Sequence, residues 1–110
     1  MRSREPVPDV RVCAVEDVKP GGHERYDVDG TRVCVVRIDD DWYAINDVCS
    51  HADFSLCEGD LWEDELEIEC PKHGSTFSLL DGEPQSLPAT KPVPVYSVRV
   101  DGDDVIVSVP

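Results

Sequence analysis

Alternation of apolar and polar residues constrains this chain more than any other feature, and no helical period competes with it. From Glu65 to Cys70 the acids Glu65, Glu67 and Glu69 fall on one face and Leu66, Ile68 and Cys70 on the other, the pattern of a half-buried strand. Tyr96, Val98 and Val100 alternate with Ser97 and Arg99, and Val105, Val107 and Val109 repeat the pattern near the C-terminus. Asp-Gly pairs at Asp29-Gly30, Asp81-Gly82 and Asp101-Gly102 punctuate these runs. Such a pair between alternating segments marks a hairpin, because the turn needs positive φ. The spacing predicts strands near 11–15, 24–28, 32–38, 42–46, 61–62, 66–69, 76–80, 95–100 and 104–109. Short strands at this spacing predict an all-β fold, an antiparallel β-sandwich or barrel.

Three segments break the rhythm. Two are the loops Asp47 to Asp60 and Cys70 to Ser75. The third, Gln85 to Pro94, holds Pro88, Pro92 and Pro94 and cannot be a central strand. Residues 1–10 are expected to be a loose tail and 11–110 a single domain, since 110 residues suffice for one core and not comfortably for two. A hydrophobic fraction of 40% with 31% charged residues reads as globular.

Charge excludes some functions. The formal net charge is −14, which argues against nucleic-acid binding, where clustered Lys and Arg are needed. No stretch approaches the roughly 20 apolar residues of a membrane span, so no membrane partner is expected. The first ten residues contain no apolar h-region, and the expected location is the cytoplasm. Five cysteines at irregular spacings do not resemble a secreted disulfide framework, and Cys13, Cys34 and Cys57 are expected to be small buried hydrophobes. Between Asp39 and Thr90 there are fourteen acids and one base, Lys72. That surplus reads either as a solvated surface or as a docking face for basic partners.

The two strand-breaking loops carry the chemistry. One reads Cys49-Ser50-His51, the other Cys70-Pro71-Lys72-His73. Each offers one thiolate and one imidazole, and a hairpin between them can bring the loops side by side. A pair of core cysteines with two unremarkable histidines would account for any one of these residues but poorly for all four. A structural zinc site accepts the Cys₂His₂ set, although zinc sites usually take both cysteines from one knuckle and both histidines from another. A Rieske centre, in which two histidines replace two cysteines on one of two irons, suits a pair of loops clamping a two-metal cluster.

At these boxes the sequence resembles the Rieske proteins. Cys49-Ser50-His51 and Cys70-Pro71-Lys72-His73-Gly74-Ser75 look like that family's two cluster-binding boxes, and the likeness runs from about Val12 to Val109. It is strongest to the soluble Rieske ferredoxins that serve non-haem iron oxygenases, with Leu87-Pro88-Ala89-Thr90 resembling the loop that covers the cluster. The resemblance implies one [2Fe–2S] cluster in a small two-loop subdomain at about residues 47–90. Cys49 and Cys70 would bind the buried iron, His51 and His73 the outer one. It implies an oxidised cluster of zero formal charge, against −2 for a four-thiolate cluster, so electrons enter more easily. Gly74 fits close backbone approach and Ser75 offers a hydroxyl. Membrane-complex relatives carry a disulfide at the positions of Phe54 and Lys72, and a Tyr at that of Phe77.

Neither a second iron site nor a Gly-rich nucleotide fingerprint is present: a 2-His-1-carboxylate triad needs two histidines, and only His23, expected to be merely exposed, remains unassigned. The resemblance therefore implies an electron carrier with no catalytic site of its own, between a flavin-dependent reductase and a terminal oxygenase. A Rieske subunit of another reductase, an accessory to iron–sulfur cluster assembly, and a zinc-stabilised interaction module are the alternatives.

Overall fold

The computed structural model describes residues 9–49, 54–72, 74–87 and 89–109. Nine strands appear in chain order: β1 (Asp9–Ala14), β2 (His23–Val28), β3 (Thr31–Ile38), β4 (Asp41–Asn46), β5 (Leu61–Trp62), β6 (Glu67–Glu69), β7 (Thr76–Ser78), β8 (Val95–Asp101) and β9 (Asp104–Ser108). They build a six-stranded antiparallel sheet in the order β1-β9-β8-β4-β3-β2 and a three-stranded sheet in the order β5-β6-β7. The two edge strands β1 and β2 approach each other, so the large sheet is nearly closed. The first strand begins at Asp9, inside the segment expected to be tail.

The central strand β3 explains the layout. Its run Val33, Cys34, Val35 and Val36 is fully buried on both faces, which suits a β-branched segment with apolar neighbours on either side. Val33 and Val35 face the interior of the large sheet, with Val28, Ala44, Val105 and Val107. Cys34 and Val36 face outward onto a second core, with Ile45, Cys49, Leu56, Ile68, Cys70, Phe77 and Leu79. The small sheet therefore rides on the outer face of β3 and β4. Phe77, opposite Ile68 in the β6–β7 register, is wholly enclosed there, a burial worth roughly 1.5–3 kcal/mol.

Turn chemistry sets the registers. Asp29 and Gly30 both have positive φ, at 53° and 85°, and join β2 to β3 as a tight hairpin. Asp81-Gly82 behaves differently from a strand-to-strand hairpin. It turns the chain back onto β7 through the single bridge Phe77↔Pro84, and the next strand starts only at Val95. Leu66, expected inside a strand, lies before β6 with φ of 57°.

Candidate metal centre

Each chemistry-bearing loop is closed at its base by backbone hydrogen bonds. After β4, Asn46 accepts the Val48 N–H on Oδ1 at 2.9 Å and donates from Nδ2 to the Tyr96 hydroxyl at 2.9 Å. Val48 bridges Ser55, and the Cys49 N–H donates to the Phe54 carbonyl at 3.0 Å. Residues 47–49 thus run against 54–57. The second loop closes through the Cys70 N–H to the Ser75 carbonyl at 2.7 Å and the Gly74 N–H to the Cys70 carbonyl at 3.0 Å. That path needs the φ of +77° at Gly74.

Asp47 holds the first loop. It is fully buried. Its Oδ1 accepts from the Ser55 hydroxyl at 2.8 Å and from the Cys57 N–H at 2.9 Å. Its Oδ2 faces Arg25 Nη1 at 3.7 Å, and the same Nη1 lies 3.4 Å from Glu58 Oε2. Its N–H donates to the Arg32 carbonyl at 3.0 Å, and its carbonyl accepts the Leu56 N–H at 2.7 Å. One of the fourteen acids read as surface charge is therefore an internal brace.

The loops are also tied to one another. Gly59, just past a 3-10 turn at Leu56–Glu58, packs directly on the backbone before Cys70: a Cβ there would lie 1.6 Å from the Glu69 carbonyl oxygen. Lys72 Nζ of the second loop sits 5.3 Å from the centre of the Phe54 ring of the first. These are the positions where the sequence rules out a disulfide, and a cation–π contact joins them instead. The proline-bearing segment makes a third wall. The Ala89 N–H donates to the buried Ser75 hydroxyl oxygen at 3.0 Å, and the Thr76 N–H donates to Ser86 Oγ at 3.0 Å.

Of the four sequence-predicted ligands, Cys49 and Cys70 are buried, free of disulfide and members of one apolar core. His51 and His73 lie outside the described residues, as does Pro88 of the covering segment. Two buried thiols outside any disulfide, each at the base of its own closed loop, fit a metal cluster held between the loops.

The remaining cysteines correct the sequence reading in part. Cys34 and Cys57 form a disulfide with a Cα–Cα distance of 5.4 Å, so neither is the simple buried hydrophobe that the sequence suggested. Their sequence separation of 23 conceals the pairing, which exists only because the 3-10 turn lands on the outer face of β3. His23 is half-buried rather than merely exposed, and its Nδ1 is shut off from solvent. Cys13 is buried as expected; burial pushes its thiol up, partly offset by a hydrogen bond with Tyr26.

Comparison with known proteins decides the family. The Rieske [2Fe-2S] domain model matches residues 9–97. The chain belongs to the Rieske family. A Rieske chain of this kind carries one [2Fe–2S] cluster. The chain is 39% identical over 101 residues to the 3-phenylpropionate/cinnamic acid dioxygenase ferredoxin subunit of Escherichia coli (strain K12), covering 92% of this chain and 93% of that protein. It matches the ferredoxin of carbazole 1,9a-dioxygenase from Nocardioides aromaticivorans IC177 with a TM-score of 0.89 and 44% identity, over 91% of this chain and 96% of the other. A chain from the complex of reduced oxygenase and oxidized ferredoxin in carbazole 1,9a-dioxygenase matches with a TM-score of 0.83 and 40% identity, over 91% and 92% of the two chains. The expected Rieske-type all-β architecture is the one observed, and the structure adds a separate three-stranded sheet, β5-β6-β7, where the sequence reading had only a two-loop subdomain. Among the described residues no helix is long and apolar enough to cross a membrane.

Proposed function

We propose that this chain is a one-electron carrier that holds its cluster through Cys49, His51, Cys70 and His73, within about residues 47–90, and passes electrons from a flavin-dependent reductase to a terminal oxygenase in the cytoplasm. The observation that carries the ligand assignment is the pair of buried cysteines, outside any disulfide and in one apolar core, at the bases of two loops tied to one another. The role rests on the relatives' names and on the oxygenase–ferredoxin complex. When bound, the cluster supplies a single-electron couple.

The chain's own residues do the rest. Leu56, Ile68, Phe77 and Leu79 exclude water from the thiolate side. The Ser75 hydroxyl, with its oxygen already accepting from Ala89, keeps its proton free to donate toward the loop interior. Phe54 is 42% exposed and Leu87 78% exposed, one on the first loop and one on the covering segment. They give the loop end an apolar contact surface beside the acids, a combination that suits transient docking.

Iron, labile sulfide and zinc analysis tests the ligand assignment. About two irons and two sulfides per chain are expected; one zinc and no sulfide would overturn it. His73→Cys should change or abolish the visible spectrum. Electron transfer to an oxygenase, followed by stopped flow across a salt series, should slow as exposed charges are screened over roughly 8–10 Å. A rate indifferent to salt would remove the acidic docking face from the proposal.

A further inference from the structure

Away from Cys49 and Cys70, a second set of soft ligands converges on the outer face of β3. His23 is opposite Val36 in the β2–β3 register, and Cys34 is opposite Arg25. His23 and Cys34 therefore project from the same face at diagonal positions, one on each strand. The 3-10 turn brings Cys57 onto that face from the base of the first loop. One ligand atom from each of His23, Cys34 and Cys57 lies within 4.8 Å of the others. The His23 Nδ1 atom is buried and has no hydrogen-bond partner. A buried ring nitrogen left unsatisfied beside two sulfurs calls for an explanation, since such atoms are normally paired.

We propose that His23, Cys34 and Cys57 form a second metal site, separate from the cluster, which takes a zinc-class ion when the two cysteines are reduced and is closed when they are joined as a disulfide. The donor set is one that zinc accepts: two thiolates and an imidazole, with a fourth position open to water. Charge favours it as well. Two thiolates neutralise a dication, so the occupied site adds no net charge to a largely buried place. The nearby Arg25 is already engaged with Glu58 and Asp47, at 3.4 and 3.7 Å from its Nη1.

The chemistry balances with an external dithiol as reductant. That dithiol transfers two electrons, breaks the Cys34–Cys57 bond, becomes a disulfide itself and leaves two thiols on this chain. Binding of the ion then releases the two thiol protons. In both states the turn that closes the first loop stays fastened to β3, by a sulfur–sulfur bond in one and by the ion in the other.

The experiment uses the holoprotein with its cluster intact. One portion is reduced with a phosphine, desalted and exposed to zinc; the other is oxidised with diamide and treated alike. Bound zinc is then measured by mass spectrometry, with iron, sulfide and visible absorbance recorded on the same samples so that ions replacing cluster iron are recognised. One zinc per chain above the iron content is expected in the reduced portion and none in the oxidised one. His23→Ala and Cys57→Ser should each weaken zinc binding at least about tenfold, as chelator competition reads it, with iron content unchanged. Equal zinc in the two portions, no zinc in either, or undiminished binding by Cys57→Ser would overturn the proposal.

Discussion

Removing the Asp47 carboxylate should loosen the first loop more than any surface change. In Asp47→Ala the Cys57 N–H and the Ser55 hydroxyl lose the oxygen they share at 2.9 and 2.8 Å. An orphaned buried donor costs about 1–3 kcal/mol, and the hydroxyl recovers part of its share by rotating, whereas the backbone N–H cannot. The Arg25 pair adds only about 0–1 kcal/mol, because the guanidinium is half-exposed. The expected loss is therefore about 2–4 kcal/mol, which in a domain of this size lowers the melting midpoint by roughly 10–25 °C. Asp47→Asn keeps an acceptor at the Oδ1 position and loses only the ion pair, so it should fall within about 1–2 kcal/mol of the parent. Far-UV circular dichroism melts at one fixed scan rate, with the visible cluster band followed in the same cell, give the comparison. The Ala variant should bleach well before the Asn variant. If Asp47→Ala melts within about 3 °C of the parent, the two hydrogen bonds do not carry the loop. If Asn is as damaging as Ala, charge rather than acceptor geometry is the brace.

Three further outcomes follow from other contacts. Ser75→Ala should cost about 1–2 kcal/mol by stranding the buried Ala89 N–H, seen as faster amide exchange at Ala89 with Thr76 unchanged; uniform exchange would refute it. The Asp9 carboxyl is held below its ordinary value, chiefly by the Ser108 hydroxyl that donates to it and also by Arg99 at 3.2 Å. Its contribution to holding β1 is thus present above the ordinary carboxylate range and is lost as pH falls through the lowered value. A carbon-detected NMR titration should give a low midpoint that Ser108→Ala moves upward. Finally, the resemblance implies a Tyr in membrane-complex relatives at the position of Phe77, so with that hydroxyl missing voltammetry should find a potential near the low end of the roughly −150 to +300 mV Rieske range. Phe77→Tyr should raise it by some tens of millivolts, since about 1 kcal/mol is roughly 40 mV for one electron; an unchanged value would show that the hydroxyl does not reach the cluster's ligands.

Strand positions were legible because period-two patterning and Asp-Gly turns act locally. All nine expected strands exist, with ends shifted by a residue or two. What escaped the sequence is tertiary. Asp39-Asp40 joins β3 to β4 with no glycine, Asp39 taking φ of 54° in a turn that composition does not advertise. Cys34 reads as buried from alternation alone, but its bond to Cys57 depends on how the small sheet docks. Asp47 reads as one more surface acid, because nothing local marks a carboxylate that three elements enclose. The candidate site was legible as two spaced boxes, and the structure adds the closed bases of those boxes and the apolar core under Cys49 and Cys70.

The contact between Lys72 and Phe54 has a consequence for how the protein is made. A side-chain clasp of this kind opens and recloses on the nanosecond scale, whereas a covalent bridge must be forged by an oxidant and rearranges over minutes to hours. Loops fastened by a clasp can part to admit iron and sulfide and then shut behind them. Fastening the two loops to each other at Phe54 and Lys72 thus requires no oxidising step, unlike the Cys34–Cys57 bridge at the base of the first loop.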